Sequence, residues 1–276
     1  MFYTRLRATC PPEFTDILIA ETAEAGFDTF METSEGFEGF AEEDRYDSSL
    51  LEEIRLRYAE TCSPVFMLDR VQKENWNEQW EQSFEPVIVG EDCIVRAEFH
   101  QAGRHYPYEI VITPKMSFGT GHHATTWLML HAQLGIDHTD KAVMDAGCGT
   151  AILSIMASMR GARTVEAFDI DEWSTVNGIE NLENNGCANV SLRQGTIRTL
   201  NFAESFDLIL ANINRNVLLA DMDAFAANLK SGGHLLLSGF YETDADDLIT
   251  AADACGFSYV RREVKETWCS LLLFRR

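Results

Sequence analysis

The second half of the chain alternates between short apolar runs and helical patterns, and no other feature constrains the fold as strongly. From residue 141 to residue 256 the order of candidate strands and helices is KAVMDAG, AILSIMASMRG, TVEAFDI, DEWSTVNGIENLENNG, NVSLRQG, FDLILANI, NVLLADMDAFAANLK, GGHLLLSGF and ETDADDLITAADACG. Strands that are separated by helices predict a parallel sheet with helices on both faces. The tail contains two strand-like runs with no helix between them, FSYVRREVKET and WCSLLLFRR, and these predict a terminal antiparallel hairpin.

The first 70 residues follow a different pattern. Extended runs at 2–9 and 27–33 flank a helical pattern that begins at a Pro-Pro pair. A less regular extended stretch, a capped helix (DSSLLEEIRLRYAE) and the strand-like SPVFMLD follow. The order βαββαβ predicts a small α+β domain of the ferredoxin-like type over residues 1–70. This domain carries 6 Lys and Arg against 16 Asp and Glu, a net charge of −10, so we expect it to recognise a basic partner.

A polar segment joins the two regions. In VQKENWNEQWEQSFEP, Trp76, Trp80 and Phe84 recur every four residues along one helical face, before Pro86 stops the helix. We interpret residues 71–85 as a helical linker between domains, and residues 86–276 as the second domain.

Charge and cysteine usage limit the partners and the compartment. The formal net charge is −22, which disfavours direct nucleic-acid binding, because a polyanion gains affinity from Lys and Arg. Seven cysteines are scattered without a CxxC pair, and the start lacks the apolar segment of a signal peptide. No apolar run approaches the roughly 18 residues that span a bilayer. These features predict a reduced, cytoplasmic protein that contacts no membrane.

The motif DAGCGTA at 145–151 follows a predicted strand and opens a helix, where glycines permit a tight turn and a close approach of ligand to backbone. The dinucleotide-binding fingerprint GxGxxG would need its third glycine at position 152, where this chain has Ile152. No GxxxxGK[ST] phosphate loop is present either, so dinucleotides and nucleoside triphosphates are disfavoured as ligands. Asp169 ends the next strand, where a carboxylate can accept hydrogen bonds from both ribose hydroxyls, while Asp171 is expected to cap the following helix. Ligands of open parallel sheets bind at the carboxyl ends of strands, so we expect residues 145–151, Asp169 and Asn212 to face one crevice.

The DAGCGTA motif, the strand-end acid and the terminal hairpin together resemble the S-adenosylmethionine-dependent methyltransferases. Two further stretches, ITPKMSFGTGHHATT at 112–126 and FDLILANINRNVL at 206–218, are similar to the ribosomal protein methyltransferase A family. That family trimethylates amino groups of large-subunit ribosomal protein eleven, and it joins a ferredoxin-like substrate domain to its catalytic domain through a Trp-bearing helix. The resemblance therefore covers the whole chain. It implies an α/β fold, namely a seven-stranded Rossmann-like methyltransferase sheet with a small N-terminal α+β ferredoxin-like domain.

The resemblance also implies a site for S-adenosylmethionine, the methyl donor. The implied cofactor-binding residues are Thr126, Gly147, Asp169 and Asn212, together with Phe118, Gly119, Asp145 and Gly149. Asn212 is in addition the implied catalytic residue, at the end of the fourth strand of the predicted sheet and near the transferring methyl group.

Two local features qualify this site. His122 and His123 do not predict a metal, because adjacent helical residues point about 100 degrees apart and no third ligand is near. The resemblance makes one of these histidines a lid residue of the cofactor pocket. Ala151 stands where many methyltransferases have a third glycine, and we expect its methyl group to tighten the approach to the methionyl group.

The predicted function is transfer of methyl groups to lysine side chains or the N-terminal amine of the basic ribosomal protein, to the trimethyl state. NINR at 212–215 departs from the Asn-Pro-Pro-Tyr motif of adenine and glutamine amide methyltransferases, which shifts the acceptor away from a planar amide or base. One alternative is a nucleic-acid or small-molecule methyltransferase with the same cofactor core. Another is a ribosome-assembly module without activity, for which degenerate motifs are expected.

Overall fold

The computed structural model describes residues 2–27, 29–33, 35–42, 45–59, 61–72, 85–100, 103–113, 119–202 and 205–276. The chain forms two compact units, residues 1–83 and 84–276. Within the predicted linker helix, Trp76, Trp80 and Phe84 lie outside the described residues. None of the helices in the described ranges combines the length and the apolar character that crossing a membrane requires.

The first unit is an antiparallel sheet with two helices. Its elements are β1 (Phe2–Thr9), α1 (Thr15–Glu24), β2 (Thr29–Thr33), β3 (Gly36–Glu42), α2 (Ser48–Arg57) and β4 (Val65–Gln72). The strand order is β2-β3-β1-β4, and every neighbouring pair is antiparallel. Leu6 of β1, Leu18 of α1 and Ile54 of α2 meet in a buried core. The predicted cap of α2 is confirmed, since the Asp47 carboxylate accepts hydrogen bonds from the first backbone N–H groups of that helix.

The second unit begins with a small sheet that the sequence analysis did not predict. It consists of β5 (Val87–Val89), β6 (Cys93–Arg96) and β7 (Tyr108–Val111). The first two strands are antiparallel, whereas β6 and β7 are parallel. Val89 and Ile110 are fully buried and belong to the same core as the helices that follow. The small sheet is therefore an integral part of the second unit.

A seven-stranded sheet forms the centre of the second unit. The elements that build and cover it are α3 (Ala124–Leu134), β8 (Ala142–Ala146), α4 (Ile152–Met159), β9 (Thr164–Asp169), α5 (Glu172–Asn184), β10 (Val190–Gln194), β11 (Phe206–Asn212), α6 (Arg215–Asn228), β12 (Leu229–Tyr241), α7 (Ala245–Ala254), β13 (Phe257–Lys265) and β14 (Trp268–Arg275). The strand order is β10-β9-β8-β11-β12-β14-β13, and β14 runs antiparallel to both of its neighbours. The α/β class with a large central sheet and the terminal antiparallel hairpin are both confirmed.

Helices cover both faces of this sheet, which explains why its central strands β8 and β11 are mostly apolar and buried. Alternate side chains of β8 enter two separate cores: Val143 packs with residues of α3, α4 and α5, and Met144 packs with residues of α6 and α7. The parallel strands end at one edge, and the antiparallel β14 begins there with Trp268, opposite Tyr241 of β12. This carboxyl edge carries the candidate site.

Candidate functional site

A cavity of about 490 Å³ opens at the carboxyl edge of the seven-stranded sheet. Its volume falls within the roughly 300–1,000 Å³ that is usual for small-molecule sites. The residues that line it come from the loop after β8, the ends of β9, β11 and β12, the first turn of α3 and the start of β14. They include these predicted site residues: Gly119, Thr126, Gly147, Gly149, Asp169 and Asn212. Of the two other predicted residues, Phe118 lies outside the described residues, and Asp145 is not among the lining residues.

The loop after β8 forms one wall of the cavity and depends on Gly147. This residue has φ 70°, a left-handed conformation that glycine adopts without steric cost. A Cβ atom at Gly147 would lie 2.2 Å from Cγ2 of Ile213, which leaves no space for any side chain. The backbone N–H of Gly147 donates to the carbonyl oxygen of Phe168 at 2.9 Å, so the loop is tied to the end of β9.

Ala151 closes this loop in an unusual conformation. Its φ of 62° lies in the left-handed region, where a residue other than glycine is strained by about 1–3 kcal/mol. The methyl group packs in the core beside Gly178 of α5, and Ala151 does not belong to the cavity lining. The expectation that this methyl tightens the approach to the cofactor was therefore wrong. Ala151 therefore adopts a left-handed conformation that glycine favours.

Asp169 reaches the cavity from a position that also braces the loop. Its Oδ2 accepts a hydrogen bond from the Gly149 N–H at 2.9 Å, and its Oδ1 accepts one from the Asp171 N–H at 3.0 Å. Asp171 accepts from the Ser174 N–H at 2.7 Å and caps α5, as the sequence predicted. The half-buried Asp169 carboxylate thus presents negative charge to the cavity while it orders two backbone segments.

Thr126 and Asn212 come together across the cavity. Thr126 is fully buried in the first turn of α3, and the Nδ2 group of Asn212 donates to its Oγ1 at 3.5 Å, a long hydrogen bond. The Oδ1 atom of Asn212 is buried and has no hydrogen-bond partner among the described residues. A buried acceptor without a partner costs about 1–3 kcal/mol. A ligand in the cavity that donates a hydrogen bond here removes this cost.

Asp145 lies beneath the loop. It is fully buried on the side of β8 that faces α4, and its Oδ2 accepts a hydrogen bond from the Ser154 hydroxyl at 2.6 Å. Its Oδ1 has no partner among the described residues. Burial raises the pKa of this carboxyl to about 7, although the Ser154 hydrogen bond opposes the shift. Asp145 therefore lies beneath the loop after β8 and supports it from the core.

Trp268, which lines the cavity, and Tyr241, which contacts it, were not assigned a role from the sequence. Trp268 begins β14, and its ring lies 4.7 Å from that of His123 and 4.3 Å from that of Tyr241. Both Trp268 and His123 line the cavity. His123 is one of the two adjacent histidines of which one was expected to be a lid residue. The sequence predicted the terminal hairpin, but it did not show which of the two hairpin strands pairs with β12 and so begins at the carboxyl edge.

The charged groups of the cavity favour a ligand that is neutral or positive. Among the described residues, the lining contains two carboxylates, Asp169 and Asp221, and neither lysine nor arginine. Asp221 is paired with Arg198, whose guanidinium also contacts Asp223 and so joins the loop after β10 to α6. Burial raises the pKa of the Cys148 thiol well above its ordinary value, so this lining thiol is not a nucleophile at neutral pH.

No metal centre is found in the part of the chain that the structure describes. No group of three His, Cys, Asp or Glu side chains is placed there to hold an ion. The two adjacent histidines have other contacts: His122 Nε2 lies 2.9 Å from the carbonyl oxygen of Glu85, and His123 caps α3 by accepting from the Thr125 N–H.

Comparison with known proteins gives a consistent result. The sequence profile of the family described as ribosomal protein L11 methyltransferase (PrmA) matches residues 18–276. The ribosomal protein L11 methyltransferase of Bacteroides fragilis is 36% identical over 264 residues, which are 95% of this chain and 94% of that protein. The enzyme of the same name from Porphyromonas gingivalis is 39% identical over 266 residues, 93% of this chain and 89% of that protein. Among solved structures, the ribosomal protein L11 methylase of Lactobacillus delbrueckii subsp. bulgaricus superimposes with a TM-score of 0.65 at 25% identity, over 70% of this chain and 100% of that chain.

Proposed function

Since the chain belongs to the ribosomal protein L11 methyltransferase family, we propose that it transfers methyl groups from S-adenosylmethionine to amino groups of ribosomal protein L11. The observation that carries this proposal is the cavity that collects Thr126, Gly147, Asp169 and Asn212 at the carboxyl edge of the large sheet. The reaction is proposed to take place in the cytoplasm, where ribosomal proteins are made. The acidic chain and the absence of an Asn-Pro-Pro-Tyr motif disfavour a nucleic-acid acceptor.

The residues present fit S-adenosylmethionine. We assign Asp169 to accept hydrogen bonds from the ribose hydroxyls, and Gly147 to the loop backbone that the ligand approaches, since both residues line the cavity. We assign Thr126 and the first backbone N–H groups of α3 to the methionine carboxylate. The cavity lining contains no described lysine or arginine that would repel a sulfonium. When it is bound, S-adenosylmethionine supplies a methyl group that its positive sulfur has already activated.

The work left to the protein is to position the acceptor. An amino group of lysine has an ordinary pKa near 10.4, so it enters protonated and must lose a proton before it reacts. Desolvation inside the cavity lowers that pKa, and the proton leaves to water. The unpartnered Oδ1 of Asn212 accepts one of the remaining N–H groups and so aims the nitrogen lone pair at the methyl group. Such alignment accounts for much of the rate in a transfer between two bound reactants.

The finer parts of the proposal concern the acceptor and its recognition. The acceptors are lysine side chains, the N-terminal amine or both, and the final product is the trimethyl state. The N-terminal unit acts as a ferredoxin-like recognition domain, and its strand order β2-β3-β1-β4 with two helices supports that assignment. Its charge of −10 over residues 1–70 suits a basic partner.

The direct test is a methylation assay with the full chain. The protein is incubated with methyl-labelled S-adenosylmethionine and a complete mixture of ribosomal proteins and ribosomal RNA, and the labelled species are identified by mass spectrometry. We expect the label on ribosomal protein L11, on amino groups that carry up to three methyls. Label confined to RNA or to a small molecule, or no transfer at all, contradicts the proposal.

Replacing Asp169 by alanine is expected to weaken S-adenosylmethionine binding by roughly tenfold to a hundredfold, because a hydrogen bond to a charged group contributes about 1.5–3 kcal/mol. The loss includes the bond to the Gly149 N–H, which orders the loop. The dissociation constant is measured by calorimetry, with Asp140→Asn as the control, because Asp140 is exposed near the opposite edge of the sheet. Unchanged affinity in Asp169→Ala removes this residue from the cofactor site.

Added salt is expected to raise the KM for ribosomal protein L11 more steeply than it weakens S-adenosylmethionine binding. The reason is that attraction between an acidic surface and a basic protein is screened, as the Debye length falls from about 10 Å at 0.1 M to about 3 Å at 1 M. The KM of the protein substrate and the dissociation constant of the cofactor are measured between these concentrations. Equal salt dependence of the two constants argues against electrostatic recognition by the acidic unit.

A further inference from the structure

The antiparallel strand β14 places an aromatic group at the opening of the cavity. Its first residue, Trp268, pairs with Tyr241 at the end of β12 and lines the same cavity as Asn212. The Tyr241 ring stacks on Trp268, with the planes inclined by 28°, and is 49% exposed. His123 meets Trp268 edge to face, at an interplanar angle of 66°. Trp268 therefore contacts two further rings, and both Trp268 and His123 line the cavity that contains Asn212, the residue proposed to orient the acceptor.

The surroundings of these rings favour a positively charged ligand. The described lining of the cavity contains no lysine or arginine and two carboxylates, Asp169 and Asp221, of which Asp221 is paired with Arg198 outside the lining. His123 Nδ1 accepts a hydrogen bond from the Thr125 N–H, which holds the ring at the start of α3. An aromatic face attracts a cation within about 6 Å of the ring centre, and recognition of quaternary ammonium groups by aromatic cages rests on this attraction.

We propose that Trp268, supported by Tyr241 and His123, forms a subsite for the alkylammonium group of the acceptor and for its methylated forms. This inference rests on the proposed function, and it names the residues that keep the acceptor in place between successive transfers. Each transfer replaces one N–H of the acceptor by a methyl group, so Asn212 Oδ1 has one donor fewer to bind. The attraction between the positive group and the Trp268 ring does not need an N–H, so it persists through the series. After each of the first two transfers the ammonium loses a proton to water and becomes the next nucleophile.

The kinetic test compares Trp268→Phe and Trp268→Leu in the full chain. With ribosomal protein L11 as substrate, we expect Trp268→Leu to raise the KM for the protein by roughly twofold to thirtyfold, the range of one cation–π contact. Trp268→Phe, which keeps an aromatic face, is expected to show a smaller increase. Mass spectrometry is expected to find mono- and dimethylated products in Trp268→Leu where the parent gives the fully methylated form. Because Trp268 lines the same cavity as the proposed cofactor residues, the KM for the protein is measured at saturating S-adenosylmethionine.

Trp173→Leu is the matched control, because Trp173 is 79% exposed on α5 and does not line the cavity. It is expected to keep the parent KM and product distribution. If Trp268→Leu also keeps both, the aromatic subsite is overturned while the methyltransferase function stands.

A binding test separates this inference from the proposed function, because it needs no ribosomal protein. Choline and its uncharged isostere 3,3-dimethyl-1-butanol are titrated into the full chain saturated with S-adenosylhomocysteine, and the heat of binding is measured by calorimetry. We expect choline to bind and the alcohol to bind more weakly, with the preference lost in Trp268→Leu and reduced in Trp268→Phe. Equal binding of choline and the alcohol overturns the subsite. Choline binding in a protein that fails to methylate ribosomal protein L11 supports the subsite and contradicts the proposed acceptor.

Discussion

Replacing Asn212 by alanine is expected to lower the rate of methyl transfer about 100-fold, while S-adenosylmethionine affinity falls far less. Among the described residues, Asn212 is the one cavity-lining residue with a buried side-chain oxygen that has no hydrogen-bond partner. Removing this oxygen leaves the acceptor nitrogen without a group to aim its lone pair, and a misplacement of about 1 Å costs about 100-fold in rate. Single-turnover rates measure the transfer step, and calorimetry measures the affinity.

Two further variants define what the amide does. Asn216→Ala is the control, because Asn216 is exposed on α6, four residues along the chain, and we expect parent rates. Asn212→Asp keeps the shape but supplies a carboxylate, which stabilises the protonated, unreactive ammonium. Its rate is therefore expected to be low at neutral pH and to recover partly as the pH rises. A parent rate together with parent affinity in Asn212→Ala leaves the residue with a structural role only.

The sequence predicted the large sheet because both faces of its strands are buried. Strands such as β8 and β11 are mostly apolar, and each is followed by a helix, which is the pattern of a parallel sheet. The site followed from the same pattern, since the ends of parallel strands meet at one edge. Gly147, Asp169 and Asn212 were therefore expected in one crevice, and they line one cavity.

The small sheet escaped prediction for a physical reason. Its strands β5, β6 and β7 have three or four residues each, too few to show a periodic pattern. In the described residues between the parallel strands β6 and β7, 97–100 and 103–107, there is no helix, so the usual signal of a parallel connection is missing there.

The DAGCGTA motif also did not show which of its side chains point toward the cavity and which point into the core. Asp145 stands two residues before Gly147, yet the alternation of β8 directs its carboxyl into the core beneath α4. The methyl group of Ala151 is in the same core. The role of Trp268 depends on which strands β14 pairs with, and local sequence does not contain that information.

The buried carboxyl of Asp145 has a consequence for stability that is large enough to measure. Its pKa is about 7 in the native protein, chiefly because of burial, against about 3.9 in an unfolded chain. The native state therefore holds a proton that the unfolded state releases between these two values. Its contribution to stability is fully present below about pH 4, is lost as the pH rises to about 7, and then stays constant.

Asp145→Asn removes this titration and keeps the shape of the side chain. Relative to the parent, the variant is expected to gain roughly 3 kcal/mol in free energy of unfolding between pH 5 and pH 8, because only the parent must ionise a buried acid over that range. Urea unfolding at several pH values, followed by tryptophan fluorescence, measures the difference, with the exposed Asp140→Asn as a control that is expected to parallel the parent. Carboxyls with lowered pKa values, such as Asp207, stabilise the protein more as the pH rises. These contributions are the same in Asp145→Asn and in the parent, so they cancel in the difference between the two free energies of unfolding. If the stabilities of Asp145→Asn and the parent change in parallel from pH 5 to pH 8, the pKa of the Asp145 carboxyl is not raised in the native protein. Asp145 is then not a buried, protonated residue beneath the loop after β8.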